Sequence, residues 1–113
     1  MSANRRRGEI SAELDGRQYR LCLTLGALAE LEAAYAAEDL AALVGRFSSG
    51  RLAAADMTRI IGAGLRGAGA DLADHQVASM QAEGGAAGFA AIVSDLLTLT
   101  FGAAQPGEPA ANP

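Results

Sequence analysis

The residues best suited to chemistry are few and lie far apart in the sequence. His75 is the only histidine and Cys22 the only cysteine. A catalytic imidazole or thiol needs a partner that activates it, but no Ser or Cys motif lies near His75. Glu9, which the strand register below places opposite Cys22, would raise the pKa of the thiol. One cysteine and one histidine also cannot build a metal site. We expect no catalytic residue, no metal and no cofactor.

Acidic pairs and glycine-rich stretches are further candidates for a site. Glu30 and Glu32 point about 200° apart around a helix, so they cannot share a ligand, and Asp39, which follows Glu38, is typical of a helix N-cap. Gly62-Ala63-Gly64 lacks the preceding strand and the G-x-G-x-x-G pattern of a phosphate-binding loop. These small residues instead predict close approach between helices.

Composition excludes several classes of protein. The chain has 113 residues, of which 50% are apolar, so it is not disordered throughout. Its formal net charge of −4 argues against coating a nucleic acid. No apolar run reaches the roughly 18 residues of a transmembrane helix, and Arg5-Arg6-Arg7 is not followed by the hydrophobic segment of a signal peptide. We expect a cytoplasmic protein without a membrane contact, and the acidic balance of the chain disfavours nucleic acid as its partner.

The strongest local pattern is a β-hairpin within residues 9–23. Polar and apolar residues alternate on both sides of Asp15-Gly16, a dipeptide that favours a type I′ turn. Pattern and turn agree on one register. The predicted pairs are Leu14–Arg17, Ala12–Tyr19 and Ile10–Leu21 on one face, and Glu13–Gln18, Ser11–Arg20 and Glu9–Cys22 on the other.

The remainder of the chain predicts helices that cover the apolar face of the hairpin. Apolar spacing and N-cap residues such as Thr24 and Asp39 support these assignments. The helices are predicted at about 25–37, from about 40 to 47, at about 54–66, at about 74–83 and at about 86–101. The fold class is therefore α+β, with an N-terminal β-hairpin packed on a small bundle of four to five α-helices. The predicted organisation is a flexible basic N-terminus (1–8), a single globular domain (9–102) and a disordered tail (103–113).

The last helix has an unusually wide apolar surface. Its large side chains cover about 200° of the helical wheel, more than the apolar stripe of a surface helix. Such a helix is either central in the core or covers a partner or a second copy of the chain. The hypothesis for partner binding, assisted by the tail after Gly102, names Phe89, Val93, Leu96 and Leu97.

Several short stretches follow one another in an order and spacing that are specific together. They are 7–9, 14–21, 23–32, 46–52, 63–67 and 83–85, with the closing helix to Phe101-Gly102. Together they resemble the small tail protein of alphaproteobacterial gene transfer agents, which are phage-like particles, and this family is grouped with phage tail assembly chaperones. The resemblance covers about residues 5–102. Residues 85–89 read Gly-Ala-Ala-Gly-Phe where the family pattern is Gly-Leu-Ala-Gly-Tyr.

The resemblance implies a non-catalytic role in tail morphogenesis. Tail assembly chaperones bind the long, aggregation-prone tape measure protein, keep it soluble while tail tube subunits polymerise around it, and then leave. The family is also described as a tail tube component. Tube walls of phage tails are built from larger sheets than a two-stranded ribbon, which favours the chaperone of a gene transfer agent or prophage. The implied partners are the tape measure protein and tail tube subunits.

Two alternatives remain. One is a structural tail tube or minor tail subunit, in which an edge strand stacks by β-augmentation. The other is a small DNA-binding regulator, which would need a basic recognition helix. The third helix offers only Arg59 and Arg66 for that purpose, so the regulator is the weaker alternative.

Overall fold

The computed structural model of the chain describes residues 3–49 and 51–102. It has the predicted α+β architecture, a two-stranded antiparallel sheet followed by five helices. The strands are β1 (Glu9–Leu14) and β2 (Arg17–Cys22), and the helices are α1 (Leu25–Tyr35), α2 (Leu40–Phe47), α3 (Ala54–Gly67), α4 (Asp74–Val77) and α5 (Gly85–Phe101).

The hairpin forms in the predicted register, pair for pair from Glu9–Cys22 to Leu14–Arg17. Asp15 and Gly16 both have positive φ (55° and 75°), as a type I′ turn requires. The apolar face of the sheet is buried, with Ile10 1% exposed. The register is fixed because a slip by one residue would turn this face to solvent.

Helices α1 and α2 begin where their capping residues predict. The Ala27 N–H donates to Thr24 Oγ1 (3.1 Å) at the start of α1, and the Ala42 N–H donates to Asp39 Oδ1 (2.9 Å) at the start of α2. Each cap satisfies a backbone donor that has no partner within the helix.

The fourth helix is shorter than predicted. The pattern predicts a helix over about 74–83, but α4 ends at Val77. Downstream, the Asp15 N–H donates to the Gln81 carbonyl (2.8 Å), the Gln81 N–H donates to Asp15 Oδ1 (2.9 Å), and Ala82 pairs with the end of β1. These contacts with the hairpin replace the hydrogen bonds that a longer helix would make.

The basic N-terminal segment has a defined turn. Arg5–Arg7 form one turn of 3-10 helix, and the Asn4 N–H donates to Glu9 Oε1 (2.9 Å). The Arg5 guanidinium makes two hydrogen bonds with the Asp95 carboxylate on α5 (2.9 and 3.1 Å). The flexibility of residues 1–8 remains a prediction, and the predicted tail 103–113 lies outside the described residues.

Helix α3 is at the centre of the core. Gly64 lies where a Cβ atom would come within 2.9 Å of Leu96 Cδ2 and 3.2 Å of Leu21 Cβ. The predicted use of small residues for close packing is therefore found here, both against α5 and against β2. The most deeply buried side chains are those of Ile10, Leu14, Leu21, Leu31, Leu43, Ile60, Ile61, Leu65, Val93 and Leu96.

Candidate functional site

An apolar groove opens between α3, α4 and the first turns of α5. It encloses about 380 Å³. Ile61 and Val77 form a buried floor (1% and 3% exposed), while Met57 and Phe89 are half-buried on its sides. The residues that line the groove are Ala54, Met57, Thr58, Ile61, Val77, Ala78, Ala86 and Phe89.

The groove lining has the chemistry of a site for apolar side chains. None of the lining residues is charged. Its only side-chain hydroxyl, that of Thr58, already donates to the Ala54 carbonyl (2.9 Å). A charged group brought into the groove would lose hydration without gaining a partner. The exposed rim residues Ala78 and Ala86 are small, so the backbone of a partner helix can come close.

The structure separates the four residues that the sequence proposed for partner binding. Val93 and Leu96 are 1% and 0% exposed and pack in the core, because this side of α5 faces α3. They are therefore not on the surface. Phe89 lines the groove, and Leu97 is half-buried outside it. Of the four, Phe89 alone lies at the groove, and partner binding by any of them remains a prediction.

Arg66 holds the chain that leads into α4. Its guanidinium donates twice to the Glu30 carboxylate (2.8 and 3.2 Å), and Nη1 donates to the Leu72 carbonyl (2.8 Å). Nη1 also lies 3.0 Å from Asp74 Oδ1. That oxygen is buried, so this ion pair is shielded from solvent. Arg66 thus joins α1, α3 and the start of α4.

Tyr35 and Asp56 form a hydrogen-bonded pair in which the pKa of each group is shifted. The Tyr35 hydroxyl donates to Asp56 Oδ1, and the Ala53 N–H donates to Oδ2 (2.7 Å). Burial alone would raise the pKa of Asp56, but these hydrogen bonds and the nearby Arg46 guanidinium together lower it. Burial, followed by the bond to Asp56, raises the pKa of Tyr35. Neither group is tuned for proton transfer near neutral pH.

The same cluster ties three helices together. The guanidinium carbons of Arg46 and Arg59 lie 4.4 and 5.3 Å from the centre of the Tyr35 ring, which also packs edge-to-face on Phe47. These contacts join the end of α1 to α2 and α3. We interpret the cluster as structural.

The other residues considered for chemistry do not converge. His75 is exposed on α4, and the Glu30 carboxylate accepts hydrogen bonds from the Arg66 guanidinium. Burial, followed by the charge of Glu9, raises the pKa of the Cys22 thiol. The direction is the one predicted, although burial is the larger cause. Raised pKa values disfavour the nucleophilic thiolate.

Residues 3–49 and 51–102 contain neither a cluster of metal ligands nor a helix that could span a membrane. No group of three or more His, Cys, Asp or Glu side chains there could hold a metal ion. No helix within that part of the chain is long and apolar enough to span a membrane.

Sequence reasoning did not find the groove. It placed Met57 and Ile61 on one apolar arc of α3 and Val77 on the fourth helix, without bringing them together. It also missed Arg66 as the residue that holds the entry to α4. The groove is assembled from three helices that are separate in the sequence, so no local pattern indicates it.

Comparison with known proteins identifies the family. Residues 7–103 match the model of a family described as phage tail tube protein, GTA-gp10. No curated protein and no solved structure matches the chain. The match covers nearly all of the described residues and agrees with the resemblance carried by the hairpin and the helices. The chain belongs to the GTA-gp10 phage tail tube protein family.

Proposed function

We propose that the protein is a non-catalytic tail assembly chaperone, which binds an apolar helical segment of the tape measure protein in the groove between α3, α4 and α5. The observation that carries the proposal is the groove itself, about 380 Å³ lined by uncharged residues. Apolar helix faces are the usual ligands of such grooves. In this role the protein acts in the cytoplasm, where the particle is assembled.

The chemistry of the groove supports a client that would aggregate when free. Met57 and Phe89 are the large half-buried side chains of the lining, and methionine adapts its shape to different apolar partners. A chaperone must release its client, so a groove of moderate size without charged anchors is suited to reversible binding.

The alternative role, a subunit of the tube wall, has weaker support from the hairpin. The sheet has two strands, and the edge of β1 is engaged at both ends. The Glu9 N–H donates to the Asn4 carbonyl (3.1 Å), and the Asp15 N–H donates to the Gln81 carbonyl (2.8 Å). These contacts occupy the two ends of the β1 edge and shorten the stretch that a neighbouring strand could pair with.

Co-expression with the tape measure protein of the same tail tests the proposal. We expect the tape measure protein to become soluble and to co-purify with the wild-type chain. Phe89→Asp should abolish this effect, because it places an unpaired carboxylate in the apolar groove. Ala91→Asp adds the same charge on an exposed position of α5 and should retain it.

The contrary outcomes are distinct. If Phe89→Asp, shown to be folded by circular dichroism, solubilises the tape measure protein as well as wild type does, the groove is not the binding site. If the chain does not bind the tape measure protein and forms rings or tubes by itself in electron micrographs, the role of tube subunit is favoured over that of chaperone.

A further inference from the structure

One wall of the groove is a segment bounded by glycines in left-handed conformations. We call residues 70–83, which include α4, the wall segment. Gly69 precedes it (φ 102°), and Gly84 and Gly85 follow it (φ 91° and 62°). Residues that carry a side chain rarely adopt such φ values, whereas glycine adopts them without strain. The wall segment contributes Val77 and Ala78 to the groove.

The wall segment is less deeply buried than the core. Val77 is its only buried residue, while Ala70, Leu72, Met80 and Ala82 pack half-buried against the core. Helix α4 has four residues, too few for a helix that is stable by itself. At one end of the segment, Arg66 binds the Leu72 carbonyl and Asp74. At the other end, Asp15 exchanges two hydrogen bonds with Gln81, and Ala82 pairs with Leu14.

The contact at Asp74 depends on Arg66. Asp74 Oδ1 is buried next to Gly62, and among the described residues its ion-pair partner is Arg66 Nη1, 3.0 Å away. Removing the partner of a buried charged oxygen costs free energy. Segments with few buried contacts open at lower free energy than the core.

The groove has room for a few side chains. A cavity of roughly 150 Å³ holds one benzene-sized group, so the approximately 380 Å³ of the groove holds about two such groups. A helix that lies on the groove can therefore insert about two large apolar side chains, and an outward movement of one wall would admit more of its apolar face.

We propose that the wall segment is the moving wall of the groove, hinged at Gly69 and at Gly84-Gly85, and that Arg66 and Asp15 are the positioning residues that hold it closed until an apolar helix of the client enters. The inference rests on the proposed function for the identity of that helix. The movement itself is a property of the free protein. When the wall segment moves outward, Val77 loses contacts with the core, and contacts with the apolar face of the client helix replace them.

Hydrogen exchange of the free, full-length protein tests the hinge. Arg66→Gln should accelerate exchange of the wall-segment amides of Val77, Ala78 and Met80 by on the order of tenfold or more, because it removes the hydrogen bond to the Leu72 carbonyl and the ion pair with Asp74. Amides in the middle of α3 should change much less. Glu30→Gln is the matched control, since it removes the ion pair with α1 but keeps the contacts of Arg66 with the wall segment.

Two other variants loosen the wall segment without replacing Arg66. Gly62→Ala adds a methyl group that overlaps the Asp74 carboxylate and comes within 3.1 Å of Arg66 Nη1, so it should disturb the ion pair between these two side chains. Asp15→Gly removes the acceptor of the Gln81 N–H and keeps the left-handed turn, whereas Asp15→Asn keeps both. Gly62→Ala and Asp15→Gly should accelerate hydrogen exchange of the wall-segment amides, and Asp15→Asn should not.

Two results would contradict the proposed hinge. In one, the amides of the wall segment and of α3 exchange faster by the same factor. In the other, none of these variants changes the exchange rates of the wall segment. Admission of the client is tested with a labelled synthetic peptide from an apolar helix of the tape measure protein. Arg66→Gln should increase its association rate several-fold, and an unchanged rate overturns the gating role. If the wild-type chain binds neither peptide nor tape measure protein, the proposed function fails, while the exchange result still decides the hinge.

Discussion

Gly67, the last residue of α3, lies so close to the carbonyl oxygen of Cys22 that a Cβ atom at this position would overlap it. The oxygen belongs to the backbone at the end of β2, so it cannot turn away as a side chain could. This contact fixes the end of the central helix to the sheet. Gly64, one turn earlier, packs on Leu21 of the same strand.

Replacing Gly67 should therefore be costly although its φ is not positive. Gly67→Ala is expected to lower the free energy of unfolding by about 1–3 kcal/mol, the usual cost of overpacking. Gly45→Ala is the control, because a Cβ atom there has no neighbour within 4 Å. It should raise stability by about 1 kcal/mol through helix propensity. Urea unfolding measures both, and equal effects would contradict the close contact.

Asp56 predicts how stability depends on pH. Burial opposes its charge, but the bonds from Tyr35 and Ala53 and the charge of Arg46 lower its pKa below the ordinary 3.8. The folded state then binds fewer protons than the unfolded state between the two pKa values. The stability that Asp56 contributes is present above the ordinary pKa and is lost as the pH falls through the lowered one.

Asp56→Asn separates this contribution from that of other carboxylates. The variant should lose about 1–3 kcal/mol near neutral pH, because the amide cannot accept all the same bonds. Its stability should then decline less than that of wild type between about pH 5 and pH 2. Asp95, whose pKa is lowered first by its hydrogen bond to Arg5, keeps a residual acid dependence in the variant. Parallel curves of unfolding free energy against pH would refute this assignment.

The hairpin and the wall segment show what the sequence could predict. Alternation and the Asp15-Gly16 turn are local signals, and they specify every strand pair. The length of α4 depends instead on a distant contact, since Gln81 bonds to Asp15 across the fold. The periodic pattern around Met80 predicts a helix, but it does not indicate that Asp15 competes for the hydrogen bonds of Gln81. Tertiary contacts therefore determine where α4 ends and which conformation the rest of the wall segment adopts.

The same limit applies to α5. Its wide apolar arc predicts that the helix is covered, but the arc does not indicate which part is covered by the core. Val93 and Leu96 face α3, whereas Phe89 extends into the groove. Sequence periodicity gives the angle between two residues on one helix and gives no position relative to another helix.

Truncation on α5 distinguishes core from surface. Leu96→Ala should lower the free energy of unfolding by about 2–5 kcal/mol, because Leu96 is fully buried and leaves a cavity. Leu97→Ala should cost less, since Leu97 is half-buried. Thermal or urea unfolding gives both values. A small effect at Leu96 with loss of client binding would return this residue to the interface that the sequence proposed.

Leu25 provides the last prediction, because it is the most exposed large apolar residue in the described part of the chain, at 80%. It is the first residue of α1, whose first turn has no acidic side chain, and it does not line the groove. Leu25→Glu should raise stability by about 0.3–1 kcal/mol, since a negative charge interacts favourably with a helix N-terminus. It should leave retention of the tape measure protein unchanged. If retention is lost while stability rises as expected, the client-binding surface extends from the groove to the start of α1, and the groove alone does not account for binding.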